Sequence, residues 1–151
     1  MDWLKNKLED YSKIQKQADE KQKSEMLVKK ETGKKNILLG QKVLKEIVLQ
    51  NLNEIKKYFD EYGINCQIMQ SKAHIENLNM DVVGKVEVLV FTKNIPKPSF
   101  IKFIPLLDVP KFQCEIYTNK NNVEKTDSLN YDNLTAQTFE TFIRKFVDEI
   151  L

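Results

Sequence analysis

Arginine occurs once in this chain, at Arg144, and histidine once, at His74. A single guanidinium argues against sequence-specific DNA reading, because guanine edges and phosphates are read by bidentate Arg forks. A single imidazole leaves little for general acid–base chemistry near neutral pH, which draws on His or on carboxylates shifted by burial. The four glycines, at 33, 40, 63 and 84, form no GxGxxG or GxxxxGK loop, so no phosphate-cradling turn is present. Cys66 and Cys114 are the only cysteines. They are 48 positions apart and make neither a CxxC nor a zinc pattern. No apolar run approaches the roughly 18 residues that would cross a bilayer. The first residues, MDWLKNKLEDY, carry charge where a secretory signal would be apolar, so a cytoplasmic location is expected.

What is present is ordinary for a globular protein: 151 residues, 41% hydrophobic and 30% charged, with a net charge of +2. Residues 1–35 hold ten Lys against seven acids, a surplus too mild to imply a polyanionic partner by itself. The excess of Lys, Asn and Ile has a plainer explanation in the coding bias of an AT-rich genome, which discounts the charge argument further; a bacterial or phage protein is expected.

Residues 1–31 lack Gly and Pro and are rich in helix-forming Lys, Glu, Gln and Ala. Leu4, Leu8, Tyr11 and Ala18 follow helical spacing, with Trp3 and Ile14 beside them. Past Ile14 the apolar stripe fades, so this segment reads as a charged helical arm broken at Gly33. From Asn36, an expected N-cap, a second helix runs to Tyr62. Its stripe comprises Leu44, Ile47, Val48, Leu52, Ile55, Phe59 and Tyr62, and Gly63 is placed to end it. Alternating or β-branched segments follow at 64–75, 82–93, 111–119 and 123–129. Thr135 reads as the N-cap of a final helix, with Leu134 and Phe139 set for a hydrophobic staple.

All four prolines fall between 96 and 110, around the apolar run SFIKFIPLLDVPKF. Proline excludes a continuous helix there and disfavours a central strand. The stretch 94–110 is therefore expected to be a long connection with one helical turn starting at Ser99. That turn would dock Phe103, Ile104 and Leu107 and leave Phe100 and Ile101 exposed.

The expected fold is a single α+β domain over 36–151: a four-stranded antiparallel meander covered on one face by the long helix and the C-terminal helix. The helical arm 1–31 precedes it. Motif-poor chemistry together with two surplus apolar surfaces points to a non-enzymatic protein that works by protein–protein contact, as an adaptor, an immunity-type inhibitor or an assembly subunit. No catalytic residue, metal ligand or cofactor site is assigned. The expected contact residues are Trp3, Leu4, Leu8, Tyr11, Phe100 and Ile101, facing another protein or a second copy. Two rival readings stand beside it. The Lys-rich arm could lie on a membrane surface or nucleic acid, although Asp2, Glu9 and Asp10 oppose the former. Alternatively, Cys66 or Cys114 could act with His74 in a small enzyme.

Overall fold

In the computed structural model, which describes Met1–Leu151, the charged arm is part of a helix, α1, that runs from Asp2 to Val43. The break expected at Gly33 and the N-cap expected at Asn36 are absent. Gly33 has open space where a Cβ would stand, and one exposed glycine costs a helix only about 1 kcal/mol. Good helix formers on both sides outweigh that. Met1–Lys35 forms one compact unit and Asn36–Leu151 a second.

In the second unit the helix widens to π-helical geometry over Leu44–Leu49 and continues as α2, Gln50–Glu61. The Asn51 side-chain amide donates to the Ile47 carbonyl at 2.7 Å, a back-bond of the kind that bends or widens a helix. Leu44, Val48, Leu52 and Phe59 are buried, with Ile47 and Ile55 packed beside them. Tyr62, expected on the same stripe, lies past the end of α2 and is exposed. Gly63, at φ 74°, stops the helix as anticipated. Its N–H reaches the Asp60 carbonyl at 3.2 Å, and the Ile64 N–H reaches Phe59 at 2.9 Å, closing a Schellman motif.

The sheet has five strands, not four: β1 Asn65–Ile75, β2 Met80–Phe91, β3 Ser99–Pro105, β4 Lys111–Thr118 and β5 Val123–Asn130. Strand order is chain order and every pairing is antiparallel. The additional strand is the proline-flanked run. Pro98 lies just before β3 and Pro105 is its final residue. Pairing of β3 with β2 stops at Phe103, so the missing N–H of Pro105 leaves no gap in that ladder. The period of the run is two, not 3.6. Ser99, Ile101 and Phe103 point inward and are buried, whereas Phe100, Lys102 and Ile104 take the other face.

The inner face carries Val86, Val88, Val90, Ile101, Phe103, Phe112, Cys114 and Ile116. Onto it pack the helix 37–59 and α3, Ala136–Ile150, through Phe139, Ile143, Phe146 and Ile150. Phe103 is the hub, with ring centroids 5.5 Å from Phe139 and 6.2 Å from Phe142. Thr135 caps α3 reciprocally with Thr138: each side-chain oxygen accepts the other's backbone N–H, at 3.2 and 2.8 Å.

Two contacts fix the start of the second unit. Gly40 faces Tyr131, whose hydroxyl oxygen would stand 2.5 Å from an added Cβ. Gln41 clamps β2: its amide donates to the Val83 carbonyl at 2.9 Å and accepts the Val83 N–H at 2.8 Å. Because β3 ends short of Val83, the glutamine amide supplies the hydrogen bonds that a neighbouring strand would otherwise make.

Candidate partner-binding surfaces

On the arm, a helical advance of 3.6 residues per turn gathers Leu4, Leu8 and Tyr11 on one face, with Trp3 and Ile14 flanking it. All five are exposed, Trp3 at 68% and Tyr11 at 61%. The only side-chain hydrogen bond within residues 1–35 runs from the Gln15 amide to the Tyr11 hydroxyl, at 3.2 Å. None of the arm's Lys or acidic side chains enters an ion pair. The arm's apolar face is thus a surface with nothing of its own unit to cover it.

The loop-borne pair expected at 100 and 101 is divided by the strand. Ile101 is 1% exposed and belongs to the core, which removes it from the contact residues. Leu107, expected to dock, is exposed at 49%. Phe100 lies on the sheet face opposite the helices, half-buried by its neighbours. It pairs with Tyr117 across β3 and β4, the rings stacked at 5.6 Å and 28°. Lys97 sits 4.0 Å over the Tyr117 ring and Lys102 4.8 Å over Phe100. This gives an aromatic pair bracketed by two ammonium groups, with Leu89 beside Phe100 in register. Tyr117 and the two lysines were not identified from sequence. The signal for them was the alternation within SFIKFI, which the adjacent prolines masked.

The residues of the enzymatic reading do not converge. His74 Nδ1 lies 2.7 Å from the Asp81 carboxylate, and both groups are open to solvent, where such a pair contributes little. Cys66 and His74 are eight positions apart on β1, about 26 Å at strand rise. Cys114 lies three strands away from β1, on the order of 20 Å from His74 by strand spacing. Burial pushes the Cys66 thiol up to about 11 and the Cys114 thiol up to about 12, so both stay protonated and unreactive at neutral pH. No group of three or more His, Cys, Asp and Glu side chains is placed to hold a metal ion. The hollow beside His74, lined by Ile37, Ala73, Val82, Leu106 and Leu107, has a volume of about 230 Å³, below the range of small-molecule pockets. No helix is long and apolar enough to cross a membrane.

No protein-family model matches the chain, and no solved structure matches it.

Proposed function

We propose that this protein acts by binding other proteins, as an adaptor, an immunity-type inhibitor or an assembly subunit of a bacterium or phage, and not by catalysis. The observation that carries this reading is the exposed Trp3, Leu4, Leu8 and Tyr11 face of the arm. An amphipathic helix of this kind lays its i, i+4 and i+7 anchors into a partner's apolar groove, and Trp and Tyr are the residues that most often dominate such contacts. Phe100, on the sheet face away from the helices and stacked on the buried Tyr117, is the second contact candidate. A second reading rests on the far half of the arm, where Lys21, Lys23, Lys29, Lys30, Lys34 and Lys35 face only Glu25 and Glu31 and none is paired. That half would attract an anionic surface.

The test is affinity purification of the tagged full chain from its native cell, beside a Leu8→Asp/Tyr11→Asp variant. A partner retained in stoichiometric amount by the natural chain and lost from the variant supports arm-mediated binding. A partner retained equally by both refutes it. Loss on nuclease, detergent or salt treatment alone favours the second reading.

A further inference from the structure

The sheet has two free edges, β1 and β5, and they differ. Pairing of β1 with β2 slips between Ser71 and Lys72, where Gly84 of β2 is the extra residue, and such a bulge twists an edge away from edge-to-edge contact. The β5 edge has no such guard. Its pairing with β4 runs without a shift from Thr118↔Val123 to Lys111↔Asn130, it contains no proline, and seven of its eight residues are exposed.

The helices do not cover it either. The α3 rings stack on Phe103 of β3, and the ion pair that links α3 to β5 is Lys125–Glu149 at 3.1 Å. Lys125 and Asp127 therefore sit on the inner face, opposite Ile116 and Cys114, and both are exposed. Inward-pointing charges on an edge repel most strands. The sequence of β5 is an exception to that for one partner, because VEKTDSL is nearly self-complementary when reversed.

We infer that β5 is a homodimerisation edge: two copies pair antiparallel through β5 about a two-fold axis at Thr126, joining their sheets into one. A two-fold perpendicular to the sheet keeps both inner faces on the same side, so each residue must meet one of the same parity. Centring on Lys125 places lysine against lysine, and centring on Asp127 places carboxylate against carboxylate. Centring on Thr126 sets Lys125 opposite the second copy's Asp127, twice by symmetry. It also sets Val123, exposed at 46%, opposite Leu129, which packs on the core. On the outer face Glu124 meets Ser128. Cross-strand neighbours stand about 5 Å apart at Cβ, close enough for ion pairing and apolar contact. In that register each Lys125 lies between its own Glu149 and the facing Asp127.

The full chain is the sample, and sedimentation velocity with cysteine cross-linking is the assay. The natural chain sediments as a dimer in reversible exchange. Asp127→Lys puts lysine against Lys125 and raises the dissociation constant about tenfold or more; adding Lys125→Asp reverses the pair and restores dimerisation. Thr126→Cys, on the axis, oxidises to a covalent dimer. Glu124→Cys and Ser128→Cys each form no covalent dimer on oxidation alone but cross-link when mixed. A monomer at about 100 µM, far above a biologically useful dissociation constant, overturns the inference. So does a dimer insensitive to Asp127→Lys, or Ser128→Cys cross-linking alone as fast as Thr126→Cys. A dimer lost in Leu8→Asp/Tyr11→Asp but not in Asp127→Lys assigns association to the arm instead, and leaves arm-mediated binding standing while the β5 edge falls.

Discussion

Substituting Gly40 by alanine sets two opposing effects against each other. Alanine in place of glycine inside a helix is favourable by about 1 kcal/mol. Against this, the new methyl would meet the Tyr131 hydroxyl oxygen at 2.5 Å and Cζ at 2.9 Å. The ring cannot step aside. It is buried, it packs edge-on against Phe112 at 4.6 Å, and its backbone N–H is held by the Pro110 carbonyl at 3.0 Å. Overpacking of this kind costs about 1–3 kcal/mol, so Gly40→Ala should be net destabilising, by about 1 kcal/mol. The Tyr131 hydroxyl is itself buried without a hydrogen-bond partner. Tyr131→Phe should therefore be neutral or stabilising by up to about 1 kcal/mol, because an unpaired buried hydroxyl carries a desolvation cost. With the hydroxyl gone the 2.5 Å clash is relieved while the ring carbons at 2.9 and 3.1 Å stay, so Gly40→Ala should fall to within about 0.5 kcal/mol of neutral, its helical gain offsetting the residual crowding. Urea unfolding of the four proteins, compared at equal slope, measures the cycle. The expected coupling of about 1 kcal/mol exceeds the 0.3–0.5 kcal/mol scatter of independent sites. An additive cycle, or a Gly40→Ala variant more stable than the parent, would refute the packing argument.

Three further outcomes are expected. Phe103→Ala should lose about 3–5 kcal/mol, while Phe100→Ala, three positions away and so on the open face, should lose about 1 kcal/mol; equal losses in calorimetry would contradict the strand parity. Gln41→Leu leaves the Val83 N–H and C=O without partners and should cost about 1–3 kcal/mol, with amide exchange at Val83 accelerating ahead of Val88; unchanged exchange there would remove the clamp. Cys66 and Cys114 are raised from 9.0 to about 11 and about 12, so the unfolded chain releases these protons first as pH climbs. Their contribution is complete below pH 9 and is lost above it, by about 1.4 kcal/mol per pH unit for each thiol up to about pH 11. Cys114→Ala should flatten that alkaline slope, and an unaltered slope by denaturant titration at each pH would show that the thiol does not drive it.

The sequence was most legible where one physical signal acted alone. The Leu44, Val48, Leu52 and Phe59 stripe, the stop at Gly63 and the cap at Thr135 each follow from periodicity or terminus chemistry, and each is found in place. Legibility failed where two rules competed. In SFIKFIP the prolines argued against a strand, and their weight hid the alternation. The reason is positional: Pro105 ends β3 on a side that β2 does not pair, which only the register reveals. The misread period exchanged the roles of Ile101 and Leu107. At Gly33 the breaker signal predicts an end, yet a glycine with nothing near it costs too little to end a helix. The open-face pair of Phe100 and Tyr117 joins residues 17 positions apart, and so depended on a strand that the prolines concealed.

A sheet whose spatial order repeats its chain order can be built one hairpin at a time. The closures here run from four residues, at 76–79 and 119–122, to seven, at 92–98, so the entropy of loop closure stays small and zippering from either end is fast. Of the two helices that cover the inner face, α3 follows all five strands in the chain. During synthesis at about 5–20 residues per second, Phe103 and Phe112 thus stand on an assembled but half-covered sheet for about a second or more before Phe139 and Phe146 arrive. The interval in which nascent chains are most prone to stick to one another, or to engage a chaperone, is therefore set by the time to deliver Ala136–Ile150.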